Sequence, residues 1–262
     1  MKRSQSIIGA ISAALLVMLT GCGSDSAAPS SSSTSTPAGG TLTVYAAASL
    51  KQTFTDIGEQ FKTDNPGWKV DFTFAGSSDL VTQLTQGAKG DVFASADTKN
   101  MDKAATAGLL AGDPVNFASN TLAIVVAPGN PKQVTSFADL NKPGVTVVVC
   151  APQVPCGSAT EKVEQSTKVT LNPVSEESSV TDVLNKVTTG QADAGLVYVT
   201  DALGAGDKVA KVDFPEAVAA VNTYPIGVLK TAADAAAAHE FVDLVTGEAG
   251  QKILSQAGFA KP

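Results

Sequence analysis

The sequence predicts an α/β fold in which mixed, mostly parallel sheets are flanked by helices. Apolar runs typical of buried strands recur along the chain, for example at 42–47, 122–127 and 194–199. Segments with helical spacing of apolar residues lie between these runs, and alternation of strands and helices is typical of parallel sheets. The 222 residues from Thr41 onward are enough for one large domain or two lobes, and the number of elements suits two lobes. No internal repeat is evident.

The first 40 residues do not belong to this folded body. Two basic residues precede an apolar segment at 7–19, and Cys22 follows Leu-Thr-Gly, as in a lipoprotein signal peptide. An uncleaved membrane anchor needs about 20 apolar residues, and this segment is shorter. We therefore expect residues 1–21 to be cleaved off and Cys22 to carry the lipid, including palmitate. Residues 22–40, rich in Ser, Thr and Pro, predict a disordered tether.

Charge and cysteine content narrow the possible functions. The net charge of −7 becomes −9 without the two basic residues of the signal peptide, which argues against binding of nucleic acid. Beyond the lipidated cysteine, the chain has Cys150 and Cys156, and an even pair in an oxidising compartment favours a disulfide. A metal site is the weaker interpretation, because two thiolates need further ligands and the only histidine, His239, is distant in sequence.

Four segments have the pattern of an extended stretch that stops at small or polar residues where a helix begins. They lie at 41–50, 76–79, 154–158 and 178–182. The first N–H groups of a helix have no partner inside it, and the helix dipole favours negative charge there. In open α/β sheets, ligands bind beyond the carboxyl ends of strands. We therefore predict that the four ends meet around one small oxyanion.

Each candidate residue in these segments, and the further candidate Tyr198, also has an ordinary structural interpretation. Ser49 and Ser77 can be helix N-caps that contribute about 1 kcal/mol each. Cys156 can be only a disulfide partner, and Val180 a first-turn residue behind a capping serine. Tyr198 can be a core residue whose hydroxyl is bonded to the backbone. The recurrence of similar junctions favours the shared anion site over these separate explanations.

Four motifs, taken together and in this order, resemble the molybdate-binding proteins of molybdate ABC importers. The similarity extends from about Thr41 to Phe259, nearly the whole folded body. The motifs are AAASL at 46–50, FAGSSDL at 74–80, GDVFASAD at 90–97 and GQADAGLVYVTDA at 190–202.

The resemblance implies a two-lobed fold of the type II periplasmic-binding-protein class, which the chain crosses twice. We place the crossings near residues 121 and 223. The first lobe is then expected to contain residues 41–121 and 224–262, and the second lobe residues 122–223.

The resemblance also implies the ligand-binding residues. In that family two serine hydroxyls, backbone N–H groups at helix starts and a tyrosine hydroxyl hold the oxyanion. The matching positions are Ser49 and Ser77, the backbone N–H groups of Cys156 and Val180, and the hydroxyl of Tyr198. A cysteine at position 156 departs from the small residue expected there, but it leaves the backbone donor in place. Neither a catalytic residue, a cofactor nor a directly bound metal cation is implied, since molybdenum is bound as its oxyanion.

The function implied is that of a monomeric lipoprotein on the outer face of the cell membrane. It would capture molybdate or tungstate and deliver it to an ABC importer, its permease and ATPase.

A site that contains only hydrogen-bond donors suits a fully ionised oxyanion, and sulfate is therefore the alternative ligand. Hydrogen phosphate also needs an acceptor in the site. An anion sensor without transport is a further alternative. A hydrolase is disfavoured because a serine nucleophile needs a base, and no GxSxG, P-loop or metal-spaced cluster is present.

Overall fold

The computed structural model of the protein describes residues 39–262. The predicted signal peptide at 1–21, the lipidation at Cys22 and all but the last two residues of the predicted tether lie outside the described residues. Within residues 39–262, no helix combines the length and the apolar surface that crossing a bilayer requires.

Strands and α-helices alternate along the described residues, as the apolar pattern predicts. The strands are β1 (Thr41–Ala47), β2 (Lys69–Ala75), β3 (Val92–Ala94), β4 (Val115–Asn120), β5 (Leu122–Val126), β6 (Val147–Cys150), β7 (Ser175–Glu177), β8 (Ala194–Tyr198), β9 (Ala210–Val212) and β10 (Asn222–Val228). The helices are α1 (Lys51–Asp64), α2 (Ser77–Thr85), α3 (Thr98–Thr106), α4 (Pro155–Thr167), α5 (Val180–Thr188), α6 (Val199–Ala205), α7 (Ala235–Thr246) and α8 (Glu248–Gln256).

The strands form two five-stranded sheets, with the orders β2-β1-β3-β10-β4 and β7-β6-β8-β5-β9. In the first sheet β1 runs parallel to β2 and β3, whereas β10 runs antiparallel to β3 and β4. In the second sheet β6 runs parallel to β7 and β8, whereas β5 runs antiparallel to β8 and β9. The sheets are therefore mixed and mostly parallel, as the sequence predicts, with four strands of each sheet running in one direction. The exceptions are β10 and β5, which follow the passages between the sheets and enter their sheets in the opposite direction.

The chain passes between the two sheets at two neighbouring points. The first passage is a single residue, Thr121, between the end of β4 and the start of β5. The return passage lies between β9 and the start of β10 at Asn222. Asn120 and Asn222 are directly opposite each other in the antiparallel pair of β4 and β10. Both connections to the second sheet are therefore made from two adjacent strands of the first sheet, β4 and β10.

Aromatic packing fixes the position of helix α1 on the first sheet. Phe54 and Phe61 of α1 are almost fully buried. Their ring centroids lie 6.0 Å and 5.7 Å from that of Phe241 in α7. Burial of side chains of this size stabilises the packed face by about 1.5–3 kcal/mol each. The packing also places the residue before α1, and with it Ser49, at the carboxyl end of β1.

Candidate functional site

All five residues predicted to bind the ligand line one small cavity. They come from five separate segments that adjoin both sheets, and only small or apolar residues complete the wall. The space between the lining atoms is about 190 Å³, including the part open to solvent. The cavity is therefore small, and it suits a ligand of a few heavy atoms. The residues are Ser49, Ser77, Cys156, Val180 and Tyr198.

Three α-helices begin at the cavity and direct backbone donors toward it. Their first residues are Ser77 in α2, Pro155 in α4 and Val180 in α5. The first N–H groups of a helix have no partner inside the helix. Because proline has no N–H group, the N–H of Cys156 is the first donor of α4. The three helix starts concentrate partial positive charge on the cavity.

Ser77 is the first residue of α2, and Gly76 occupies the N-cap position. The Ser77 side chain is buried, and its Oγ accepts a hydrogen bond of 3.0 Å from the backbone N–H of Ala96. A backbone N–H can only donate, so the hydroxyl proton of Ser77 is left for another acceptor. The interpretation of Ser77 as an N-cap is therefore wrong, and its hydroxyl is available as a donor to the cavity.

Ser49 lies in a short 3₁₀ helix, Ala48–Leu50, that leads into α1. Its Oγ is 3.1 Å from the hydroxyl oxygen of Tyr224 on β10, and it makes no capping bond. Burial is the main cause that raises the pKa of Tyr224 far above its usual value. The Tyr224 hydroxyl therefore keeps its proton at physiological pH, and it holds Ser49 at the cavity wall.

Tyr198 ends β8 and is fully buried. Its hydroxyl oxygen accepts a hydrogen bond of 2.8 Å from Nδ2 of Asn222, so a side chain rather than the backbone satisfies it. Burial, followed by the proximity of Tyr224 and of the Asp97 and Asp201 carboxyl groups, raises the pKa of Tyr198 well above its usual value. The group is thus a neutral hydroxyl that can donate.

A short covalent loop presents the backbone donor of α4. Cys150 at the end of β6 and Cys156 in the first turn of α4 are joined by a disulfide bond. The next residue is Gly157, and a Cβ there would lie 2.0 Å from the carbonyl oxygen of Ala151. Glycine is therefore required where the helix start folds back on this loop.

The cavity is lined by hydrogen-bond donors and apolar groups without charge. Among the residues that the structure describes, no Lys, Arg, Asp or Glu contributes to its wall. Residues 39–262 also contain no group of His, Cys, Asp and Glu that could hold a metal ion. His239 is exposed on α7. The arrangement can hold a small anion through neutral donors and helix dipoles.

Comparison with known proteins assigns the family. Residues 42–260 match the profile of the bacterial extracellular solute-binding proteins. The chain belongs to this family. It is 61% identical over 259 residues to the molybdate-binding protein ModA of Mycobacterium tuberculosis (strain ATCC 25618 / H37Rv), with 97% of each chain covered. As a solute-binding protein it is not an enzyme, and the resemblance to molybdate-binding proteins is confirmed.

Solved structures confirm the two-lobed fold of this solute-binding protein. The periplasmic molybdate-binding protein of Azotobacter vinelandii matches with a TM-score of 0.72 and 24% identity, covering 84% of this chain and 99% of that one. The sulfate-binding protein SubI of Mycobacterium tuberculosis H37Rv matches with a TM-score of 0.75 and 20% identity, covering 84% and 86%. Because these proteins are named for different ligands, the fold alone does not decide which oxyanion is bound.

Three polar residues next to the cavity were not predicted from the sequence. They are Asn120, Asn222 and Tyr224, all buried on β4 and β10. Asn222 donates to the hydroxyl of Tyr198, and the Tyr224 hydroxyl is hydrogen-bonded to Ser49. Asn120 donates through Nδ2 to the hydroxyl oxygen of Thr200 at 2.8 Å. A signal for them is a polar residue within an otherwise apolar buried strand, since such a group needs a partner.

Proposed function

We propose that this solute-binding protein is an extracytoplasmic lipoprotein that captures molybdate, and tungstate in the same way, for an ABC importer. The observation that carries the proposal is the gathering of serine and tyrosine hydroxyls and three helix starts around one small uncharged cavity. The 61% identity to a protein named as molybdate-binding supports the choice of ligand.

The proposed ligand contacts are five neutral donors. They are the hydroxyls of Ser49, Ser77 and Tyr198 and the backbone N–H groups of Cys156 and Val180. Hydrogen bonds to an ionised acceptor are about twice as strong as those between neutral groups, so a dianion gains from each donor. Hydrogen phosphate carries a proton that needs an acceptor, and it is therefore the poorer ligand. Sulfate meets the same requirement as molybdate and is the alternative.

Capture is proposed to occur by closure of two lobes, residues 41–121 with 224–262 and residues 122–223. Ser49 and Ser77 belong to the first lobe, and the other three contact residues belong to the second. The two passages between the sheets lie side by side, which suits a hinge. The closed, monomeric protein would then dock on the permease, while lipid on Cys22 holds it at the outer face of the membrane.

A thermal-shift panel with molybdate, tungstate, sulfate and phosphate tests the ligand. A ligand present at 1,000 times its Kd stabilises the folded state by about 4 kcal/mol. We expect molybdate and tungstate to raise the Tm of the wild-type protein and phosphate to leave it unchanged. A larger shift with sulfate than with molybdate would favour the alternative, and no shift with any oxyanion would refute the proposal.

The double variant Ser49→Ala with Ser77→Ala tests the residues. It should fold and lose the molybdate shift, because two donors are removed while only two buried hydroxyl contacts are lost. A matched control is Ser166→Ala with Ser255→Ala, whose hydroxyls bond only carbonyls of their own helices. The control should keep the full shift. Survival of binding in the Ser49 and Ser77 variant would show that the site is assigned wrongly.

A further inference from the structure

Asn222 connects the second passage of the chain to both sides of the cavity. Only 4% of its surface is exposed. Its Nδ2 donates to the carbonyl oxygen of Ala96 at 2.8 Å and to the hydroxyl oxygen of Tyr198 at 2.8 Å. Ala96 follows β3 in the first sheet, whereas Tyr198 ends β8 in the second sheet. A single side-chain amide therefore bonds groups on the two sides of the ligand cavity.

The carbonyl of Ala96 determines which way the Asn222 amide faces. A carbonyl oxygen can only accept, so the NH₂ end of the amide has to face it. The same NH₂ group lies 2.8 Å from the Tyr198 oxygen and gives it the second hydrogen, because the other acceptor within reach, the carbonyl oxygen of Pro155, is farther away at 3.4 Å. The tyrosine hydroxyl therefore accepts from Asn222 and cannot donate to it.

This arrangement decides where the proton of the Tyr198 hydroxyl can point. It can turn toward the cavity, which Tyr198 lines, or toward the neighbouring hydroxyl of Tyr224. An anion in the cavity is the stronger acceptor of the two and takes the proton. The Ser77 hydroxyl is also left as a donor, because its Oγ accepts a hydrogen bond from the backbone N–H of Ala96. Ala96 and Asn222 together leave both cavity hydroxyls as donors.

We propose that Asn222 is a positioning residue that fixes the Tyr198 hydroxyl as a donor and so makes the site select fully ionised oxyanions over protonated ones. The proposal rests on the proposed function, in which Tyr198 contacts the oxyanion. Asn222 itself does not touch the ligand and acts through Tyr198. Without it, the Tyr198 hydroxyl can rotate and accept a proton from hydrogen phosphate, which removes one reason for rejecting that ion.

A double-mutant cycle on Asn222 and Tyr198 tests this coupling, with Kd for molybdate measured by calorimetry. One neutral hydrogen bond is worth about tenfold in affinity. We expect Asn222→Ala to weaken molybdate binding about tenfold when Tyr198 is present. In the Tyr198→Phe background the same change should weaken it less than about twofold, since the hydroxyl that Asn222 orients is gone. An equal loss in both backgrounds, or no loss in either, overturns the proposal.

The ratio of the Kd values for phosphate and molybdate gives a second readout that a purely structural role would not move. We expect Asn222→Ala to lower this ratio about tenfold. The control is Gln251→Ala, because the Gln251 amide also bonds two backbone carbonyls but touches no cavity residue. It should change stability and leave the ratio unaltered, and an equal change in the control overturns the proposal.

Two further measurements keep the outcomes separate. If Asn222→Ala does not fold, the double-mutant cycle is measured with Asn222→Ser instead. The single hydroxyl proton of serine cannot bond both the Ala96 carbonyl and the Tyr198 hydroxyl. The wild-type protein is measured first with molybdate, tungstate and sulfate. Absence of binding to all three refutes the proposed function itself, whereas binding without coupling between Asn222 and Tyr198 refutes only the role of Asn222.

Discussion

Gly76 is a point of close approach between the two halves of the proposed site, and Gly76→Ala tests whether they close on the ligand. A Cβ built on Gly76 would lie 2.1 Å from the carbonyl oxygen of Ser178, whereas real Cβ contacts stay beyond 3.0 Å. Gly76 precedes the donor Ser77, and Ser178 lies two residues before the donor Val180. The two donors of opposite lobes therefore have to move apart when the methyl group is added.

The size of the effect follows from this displacement. A separation of about 1 Å takes a hydrogen bond of about 2.9 Å beyond the range in which it stabilises. Loss of one hydrogen bond to a charged group costs about 1.5–3 kcal/mol, which weakens binding about 10- to 150-fold. Gly76 has φ −58° and ψ 140°, values that alanine adopts without strain. In the proposed open form Gly76 and Ser178 would be apart, so the unliganded stability should change by no more than about 0.5 kcal/mol.

Calorimetric titration with molybdate and urea unfolding without ligand measure the two quantities separately. Gly112→Ala is the matched control, because a Cβ at Gly112 meets no atom within 4 Å. The control should bind as tightly as the wild-type protein. An unchanged Kd for Gly76→Ala would show that the segments do not close as described. A large loss of unliganded stability would show that the contact is permanent and independent of closure.

Two further predictions concern the disulfide and a buried carboxyl group. Reduction of the Cys150–Cys156 disulfide should lower the free energy of unfolding by about 2 kcal/mol, because the loop that it closes is short. Mass measurement of the denatured protein with and without reductant checks the bond, and an unchanged mass would contradict it. Burial raises the pKa of Asp97 above its model-compound value of 3.8. The folded state then holds this proton more tightly than the unfolded state, so stability should fall as the pH rises from about 4 toward the folded pKa. Asp97→Asn keeps an N-cap acceptor for Asn100 and should make this slope shallower in urea titrations. Part of the slope should remain, because burial raises the pKa of Asp201 to about 7, and an identical slope in both proteins would refute the reasoning.

The sequence predicts the fold class and the cavity residues because both leave local patterns. A buried strand followed by small residues and a helix start is visible within ten residues, as at Ser49 and Ser77. The strand β4 was not predicted, since VNFASN lacks a clear apolar period, and α6 was not predicted because it follows β8 without a loop. The strand β7 was not predicted either, because Ser175–Glu177, the segment that pairs with β6, is polar.

The residues that orient the cavity hydroxyls could not be predicted, because their partners are far apart in sequence. Asn222 bonds the carbonyl of Ala96 across 126 positions, and Ser49 meets Tyr224 across 175. No local pattern specifies such pairs. They depend on the return of the chain to the first sheet, which places β10 between β3 and β4.

An uncharged cavity divided between two lobes has a consequence for release of the ion. Each helix start carries a partial positive charge of about half an elementary charge. Without an anion, the start of α2 in one proposed lobe faces the starts of α4 and α5 in the other, and these like charges favour separation of the lobes. A bound dianion reverses that preference, so binding and closure are coupled. Opening at the permease would remove at least two donors from the ion, each worth about 1.5–3 kcal/mol. The affinity would then fall about 10²- to 10⁴-fold without any change of protonation. A lysine or arginine in the site would work against this, because its longer-range attraction persists after the lobes have moved apart.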